Sequence, residues 1–283
     1  MSFFNNREIA IIFWLLIFFV LMLFHKKIRT ALFQFLKVLT SKKIIIIIFS
    51  MMLYVVTIIY LFYKIGFWDT SMIKDTILWF FGVAFVMLIN SNKATEEERY
   101  FKNVILDNLK LIVVLEFIIN LYVFNLAVEL VLMPILFIIV LISAFAELKE
   151  EYRLVKKVFD YILGIIGICF ILFAFFNIFI DFRSFANVDN LRSFLLPPIL
   201  TIVFLPFMYL FTLFIMYESY FIRLDIFNEN KAITRYAKRK ILALCHLNLK
   251  MLNKLSKEVK IMKIFNKNDV QTILQKGSVK FYV

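Results

Sequence analysis

Apolar stretches of membrane length recur along this sequence, and one of them constrains the fold more than any other feature. Residues 194–223 are apolar for more than twenty positions, contain Pro197, Pro198 and Pro206, and lead into a polar, basic segment. A helix of about 20 apolar residues crosses a hydrocarbon core of roughly 30 Å. Similar runs recur upstream, so the expected fold is all-α, a polytopic membrane bundle. Composition agrees: 63% of 283 residues are hydrophobic, with 36 Phe against 5 Gly and a mean hydropathy of +0.88. A soluble domain of this size could not bury so much apolar surface.

Seven transmembrane helices are expected, at residues 9–24, 44–63, 76–90, 111–124, 128–146, 159–180 and 194–223. The first resembles a signal-peptide core, but it lacks a small-residue cleavage site and runs into His25-Lys26-Lys27-Ile28-Arg29, which marks an uncleaved helix. Residues 25–43 carry six Lys or Arg, with Ile28, Leu32, Phe35, Leu36 and Leu39 at helical spacing, the pattern of a helix on the inner membrane surface. Residues 91–110 keep a four-residue apolar period through Phe101, Ile105 and Leu109, and are expected to lead into the fourth span from the cytoplasm. The run 111–146 is too long for one crossing, and Asn125 is the expected turn. In the sixth span, Gly164 and Gly167 would let a neighbouring helix approach closely.

Charge orients the bundle. With the N-terminus outside and the C-terminus cytoplasmic, all but Arg7, Lys64, Lys74, Arg183 and Arg192 of the 33 Lys and Arg fall inside. On a soluble protein a net charge of +13 would suggest nucleic acid; here it belongs to cytoplasmic loops, and no nucleic-acid partner is expected. Residues 1–225 form the expected transmembrane domain and 226–283 a basic cytosolic tail. In the tail Ala237, Ile241, Leu244, Met251, Leu255, Val259 and Met262 follow steps of three, four or seven, as on one amphipathic helix. Arg235, Lys238, Arg239, Lys240, Lys250 and Lys254 are its candidate contacts to anionic lipid or to a protein partner. Residues 269–283 are expected to be a loosely held end.

Catalytic patterns are lacking. Both histidines, His25 and His246, fall outside the predicted spans, and Cys169 and Cys245 suggest neither a disulfide framework nor a metal site. Glu97-Glu98-x-x-x-Lys102 resembles the E-E-x-x-x-R of intramembrane CAAX-type proteases, without the histidines that family needs; i,i+4 pairs on a solvated helix explain it as well. No enzyme, metal or cofactor is expected. Ionisable groups in the bilayer carry more information, since a central charge costs roughly 2.5–3.5 kcal/mol on insertion scales. Glu116 and Asn120 share a helix face one turn apart, Asn177 lies near the outer end of the sixth span and Glu129 near the outer start of the fifth. Glu116 and Asn120 are candidates for a water-filled path or a subunit contact, although Glu116 could instead pair with Lys110. Pro197 and Pro198 suit a first helical turn, whereas Pro206 removes a backbone hydrogen bond and should bend the last helix near Ile202, as a gate could.

The richness in Ile, Phe, Lys and Asn is that of an AT-rich bacterial genome. The chain's proportions resemble those of small multi-pass proteins of bacterial defence or stress modules. The resulting expectation is an inner-membrane protein that oligomerises with itself and forms or gates an ion-conducting path, as a membrane-perturbing effector. The alternatives are a non-conducting anchor or sensor for a cytosolic partner bound through residues 226–283, and a small-substrate transporter.

Overall fold

The structure is a computed structural model and describes residues 4–96, 100–108, 110–227 and 230–258. All regular structure among them is helical. Six helical segments among the described residues are long and apolar enough to cross a membrane. Three of these are single early or middle helices: α1 (Asn6–Phe24), α3 (Lys42–Lys64) and, later, α9 (Leu126–Glu147). Between the first two lies α2 (Lys26–Leu39). The start of α1 is set by a capping box, in which Asn5 Oδ1 accepts from the Glu8 N–H and Glu8 Oε2 accepts from the Asn5 N–H, each at 2.8 Å. That places the helix start at Asn6, upstream of the expected apolar run.

The third of these segments, Thr70–Ile89, is not one regular helix. It contains α4 (Ile73–Trp79), a π-helical turn over Phe80–Ala84, and α5 (Phe85–Ile89). Such wide turns accommodate one extra residue inside an α-helix and occur often at functional sites. Beyond it come α6 (Ser91–Glu96), α7 (Tyr100–Asn108) and α8 (Leu111–Leu121). Lys110 is extended, at φ −70° and ψ 147°, and separates α7 from α8. The eleven residues of α8 rise about 16 Å, half of a bilayer core, so the expected fourth span forms as a short helix. The chain then turns through Tyr122 to Asn125, where the turn was expected, and Asn125 Oδ1 caps α9 by accepting from the Val128 N–H at 3.0 Å.

The remaining helices are α10 (Arg153–Ile180), the short α11 (Phe182–Phe185), α12 (Val188–Phe227), α13 (Lys231–Cys245) and α14 (Leu249–Glu258). At 40 residues α12 is about 60 Å long, twice the core thickness. Its apolar window is 44% buried against 11% for α1, α9 and α10, which makes it the most enclosed of the six candidate segments.

The chain divides into two compact units, one formed by described residues within Met1–Ile77 and Asn108–Pro198, the other by those within Leu78–Asp107 and Ile199–Val283. In the first, α1 and α9 run parallel: Arg7 meets Glu129, Trp14 meets Leu130, and Phe18 meets Phe137. α10 folds back on α9 as an antiparallel hairpin, joined by Ser143 Oγ donating to Asp160 Oδ1 at 2.6 Å and by the Lys156–Glu147 ion pair at 3.1 Å. α8 packs on α10 through Ile118, Ala174 and Ile178. Gly164 and Gly167, where a neighbouring helix could approach, each face open space among the described residues.

The second unit corrects the expectation for the tail. Instead of one helix with an unused stripe, α13 and α14 are separated by a turn at His246, whose φ of 42° breaks the helix. Their apolar residues Ala237, Ile241, Cys245, Leu252 and Leu255 are buried against Leu213, Met216, Tyr217, Tyr220 and Leu224 of α12, with Leu244 and Met251 packed beside them. Val259, Met262 and residues 269–283 lie outside the described residues, as do Glu97, Glu98 and Leu109.

Candidate functional site

The most polar buried constellation lies in the first unit, where the first turn of α1 meets the α8–α9 turn. Asn5 fixes that first turn through the capping box and so sets the direction of Arg7. Arg7 is 8% exposed and Glu129 fully buried. They form a two-pronged ion pair, Arg7 Nη2 donating to Glu129 Oε1 at 3.1 Å and Nε to Oε2 at 3.3 Å. The planar guanidinium fork matches both carboxylate oxygens, which strengthens and orients the pair. Arg7 Nη1 donates to the Ile119 carbonyl at 3.0 Å and to Asn120 Oδ1 at 3.3 Å. The Phe170 ring lies 4.9 Å from the guanidinium carbon, a cation–π distance.

The position of each charge follows from helix ends. The last carbonyls of α8 have no partner within the helix, and Arg7 supplies a donor and a positive charge there. Glu129 sits in the first turn of α9, where the helix dipole favours a carboxylate, and its Oε1 also accepts from the Phe124 N–H at 3.0 Å. Asn6 Nδ2 donates to the Phe124 carbonyl at 2.9 Å. The α8–α9 turn is thus held by side chains from α1. Removing one partner of a buried ion pair costs about 3–5 kcal/mol because the other charge is left uncompensated.

A second bond continues the same seam. Pro134 has no N–H, so the Leu130 carbonyl one turn earlier in α9 loses its helical donor. The Trp14 indole N–H donates to that carbonyl at 2.8 Å. Next to Arg7 in α1, Glu8 pairs with Lys74 of α4 at 3.3 Å.

Of the residues singled out from sequence, Asn120 belongs to this cluster, as an acceptor for Arg7. Asn177 does not: its amide donates to the Phe173 carbonyl of its own helix at 2.8 Å. Glu116 sits in α8, and its side chain is outside the described residues. Pro206 lies inside α12, which continues through it to Phe227. In the tail, Lys238 pairs with Asp225 of α12 at 2.6 Å and lies over Phe221, and Lys240 lies over Tyr236. Arg235, Arg239, Lys250 and Lys254 are exposed.

Sequence reading placed Arg7 and Glu129 at the same outer level without pairing them. The Asn5-x-x-Glu8 spacing was the available signal, since it marks a capped helix start and puts Arg7 in the first turn. Two tyrosines of α12 were also missed. Tyr217 donates to the His246 carbonyl at 2.8 Å and Tyr209 to the Leu247 carbonyl, so α12 holds the strained turn between α13 and α14. Beside them in the second unit, the Trp79 indole donates to Thr201 Oγ1 at 2.9 Å and packs edge-on against Phe204. Among the described residues no three His, Cys, Asp or Glu side chains converge as metal ligands would. No protein-family model, curated protein or solved structure matches this chain.

Proposed function

We propose that this chain is a bacterial inner-membrane anchor and transducer for a cytosolic protein partner. The observation that carries the reading is α12, one 40-residue helix on whose C-terminal half α13 and α14 are packed through an apolar core and two tyrosine bonds. A displacement of the helical lobe is thereby passed into a helix that continues toward the membrane-crossing residues. The lobe exposes Arg235 and Arg239 on α13 away from its buried residues, with the exposed Leu242 at the flank of the buried stripe. Residues 226–283 are read as cytosolic and the N-terminus as outside, in seven passages. The parallel course of α1 and α9 supports that count. An odd number of passages between them, as the seven-passage reading has, would let α9 begin level with α1.

Ion conduction is the second reading, favoured by the charged Arg7–Glu129 pair with Asn120 beside it, at the ends of long apolar helices. If the pair opened, two charges would line the gap it left. In the closed arrangement Asn120 and Asn177 direct their amide groups to protein partners, which favours the anchor. The test combines two measurements on the full-length protein. The anchor reading expects one defined protein to co-purify at fixed stoichiometry, to be lost with Arg235→Glu and Arg239→Glu together, and to be retained with Lys27→Glu. It expects no current in planar bilayers. Reproducible current, with selectivity altered by Glu116→Gln, would replace it with the conducting path.

A further inference from the structure

α2 and α13 are both basic and amphipathic, and of the two only α13 has its apolar face covered by described residues. α13 buries Ala237, Ile241 and Cys245 on α12. α2 buries none of its residues. On a helical projection Ile28, Ala31, Leu32, Phe35, Leu36, Val38 and Leu39 share one half of its circumference. Phe35 is 56% exposed and Val38 57%. The opposite half carries Lys26, Lys27, Thr30, Gln34 and Lys37, with Arg29 at its edge and Phe33 as the single apolar exception. From residue 25 to residue 43 there are six Lys or Arg and no Asp or Glu.

The connections of α2 fix its orientation. One residue, His25, separates it from α1, and two, Thr40 and Ser41, separate it from α3. Successive membrane-crossing helices meet at the same surface, so both ends of α2 are held within a few residues of that surface. A helix of 14 residues, about 21 Å long, held at both ends in one plane must lie along it. Its apolar half then faces hydrocarbon and its cations lie at headgroup depth. Positive charge without acidic neighbours selects negative headgroups over zwitterionic ones.

We infer that α2 is an in-plane binding surface for anionic phospholipid at the cytoplasmic leaflet, with Lys26, Lys27, Arg29 and Lys37 contacting the headgroup phosphates and Phe35 and Ile28 seated among the acyl chains. The inference rests on the membrane reading of α1 and α3. It assigns lipid recognition to α2, a task that the covered apolar face of α13 leaves to it. A second copy of this chain is the competing occupant.

The test uses full-length protein carrying Cys169→Ala, in nanodiscs that hold one copy each. Cys245 is buried and stays in place. An environment-sensitive fluorophore is attached at Phe35→Cys, at Gln34→Cys, or at Ile46→Cys on α3 as a membrane control. Discs contain equal amounts of phosphatidylglycerol and phosphatidylcholine, with one or the other brominated. The expected result is quenching at position 35 at least twofold stronger from brominated phosphatidylglycerol than from brominated phosphatidylcholine. That ratio falls toward one in 1 M salt or when Lys26, Lys27, Arg29 and Lys37 are all changed to Gln, because screening removes the selection. Position 34 is expected to be quenched by aqueous iodide instead. Equal quenching by the two lipids at position 35 overturns the headgroup preference. Absence of lipid quenching at 35 with quenching at 46 overturns the in-plane placement, whereas absence at both overturns the membrane reading itself. Protection of position 35 only in discs holding two copies assigns the face to self-association and overturns the lipid assignment.

Discussion

The first turn of α1 and the helices α13 and α14 are both secured to the protein, but by opposite chemistry. Arg7 is held by a carboxylate, a carbonyl, an amide and an aromatic face, while α13 and α14 are held by the packing of Ala237, Ile241, Leu252 and Leu255 on α12. The difference follows from the solvent each region is read to face. In a bilayer, lipid tails are as apolar as Leu, so burying α1 against α9 gains little from the hydrophobic effect and hydrogen-bonded polar contacts fix the register. A lobe in water has the full driving force of apolar burial and needs few charges in its core.

The sharpest way to break this comparison is to remove one charge of the clasp. Arg7→Ala or Glu129→Ala is expected to lower stability by about 3–5 kcal/mol, measured by thermal unfolding in nanodiscs. Arg7→Met with Glu129→Leu should recover most of the loss, since no charge is then left buried alone. A loss in the double variant equal to the sum of the two single losses would show that the pair does not act as a unit.

In the lobe the matching change is Leu252→Ala, expected to cost about 2–5 kcal/mol by leaving a cavity. Hydrogen exchange should rise in α13 and α14 and stay unchanged in α1 and α9. Exchange that rises equally in both regions would mean that the two are not separately held.

Alkali should act on the lobe. Burial pushes the Cys245 thiol up to about 11 from an ordinary 9.0. The folded state therefore prefers the neutral thiol: the contribution is fully present below pH 9 and is lost as pH rises from 9 toward 11. Exchange in α13 is expected to accelerate across that window, and Cys245→Ala should flatten the change. A wild-type profile retained in the variant would assign the transition to another group.

The smallest expected effect lies at the α1–α9 seam. Trp14→Phe should cost about 1 kcal/mol, the typical worth of one hydrogen bond, if the indole serves the carbonyl freed by Pro134. Pro134→Ala restores the helical donor, so Trp14→Phe in that background should cost less. An unchanged cost across the double-mutant cycle would mean that the indole contributes through packing.

Helices long and apolar enough for a membrane were legible in the sequence because period and length are local properties. The turn at Asn125 was legible for the same reason, as a polar residue centred in an apolar run. The Arg7–Glu129 pair was not, because its partners stand 122 residues apart and neither has a local pattern that names the other. The tail misled in a different way. Its stripe at Ala237, Ile241 and Leu255 correctly marked a face to be covered, but a stripe carries no information on what covers it, and α12 competes with lipid for it. His246 interrupted the helix without a Gly or Pro to announce it.

The 122 residues between Arg7 and Glu129 also set a schedule for biosynthesis. Chain elongation at about 5–20 residues per second makes Glu129 roughly 6–24 s after Arg7. During that interval α1 can insert while its arginine, lacking a carboxylate, stays hydrated at the surface. On the membrane reading, α1 would enter the bilayer early but reach its final depth late, once α9 has been delivered beside it. Translation pauses placed before residue 129 would then lengthen the state in which Arg7 lacks its carboxylate.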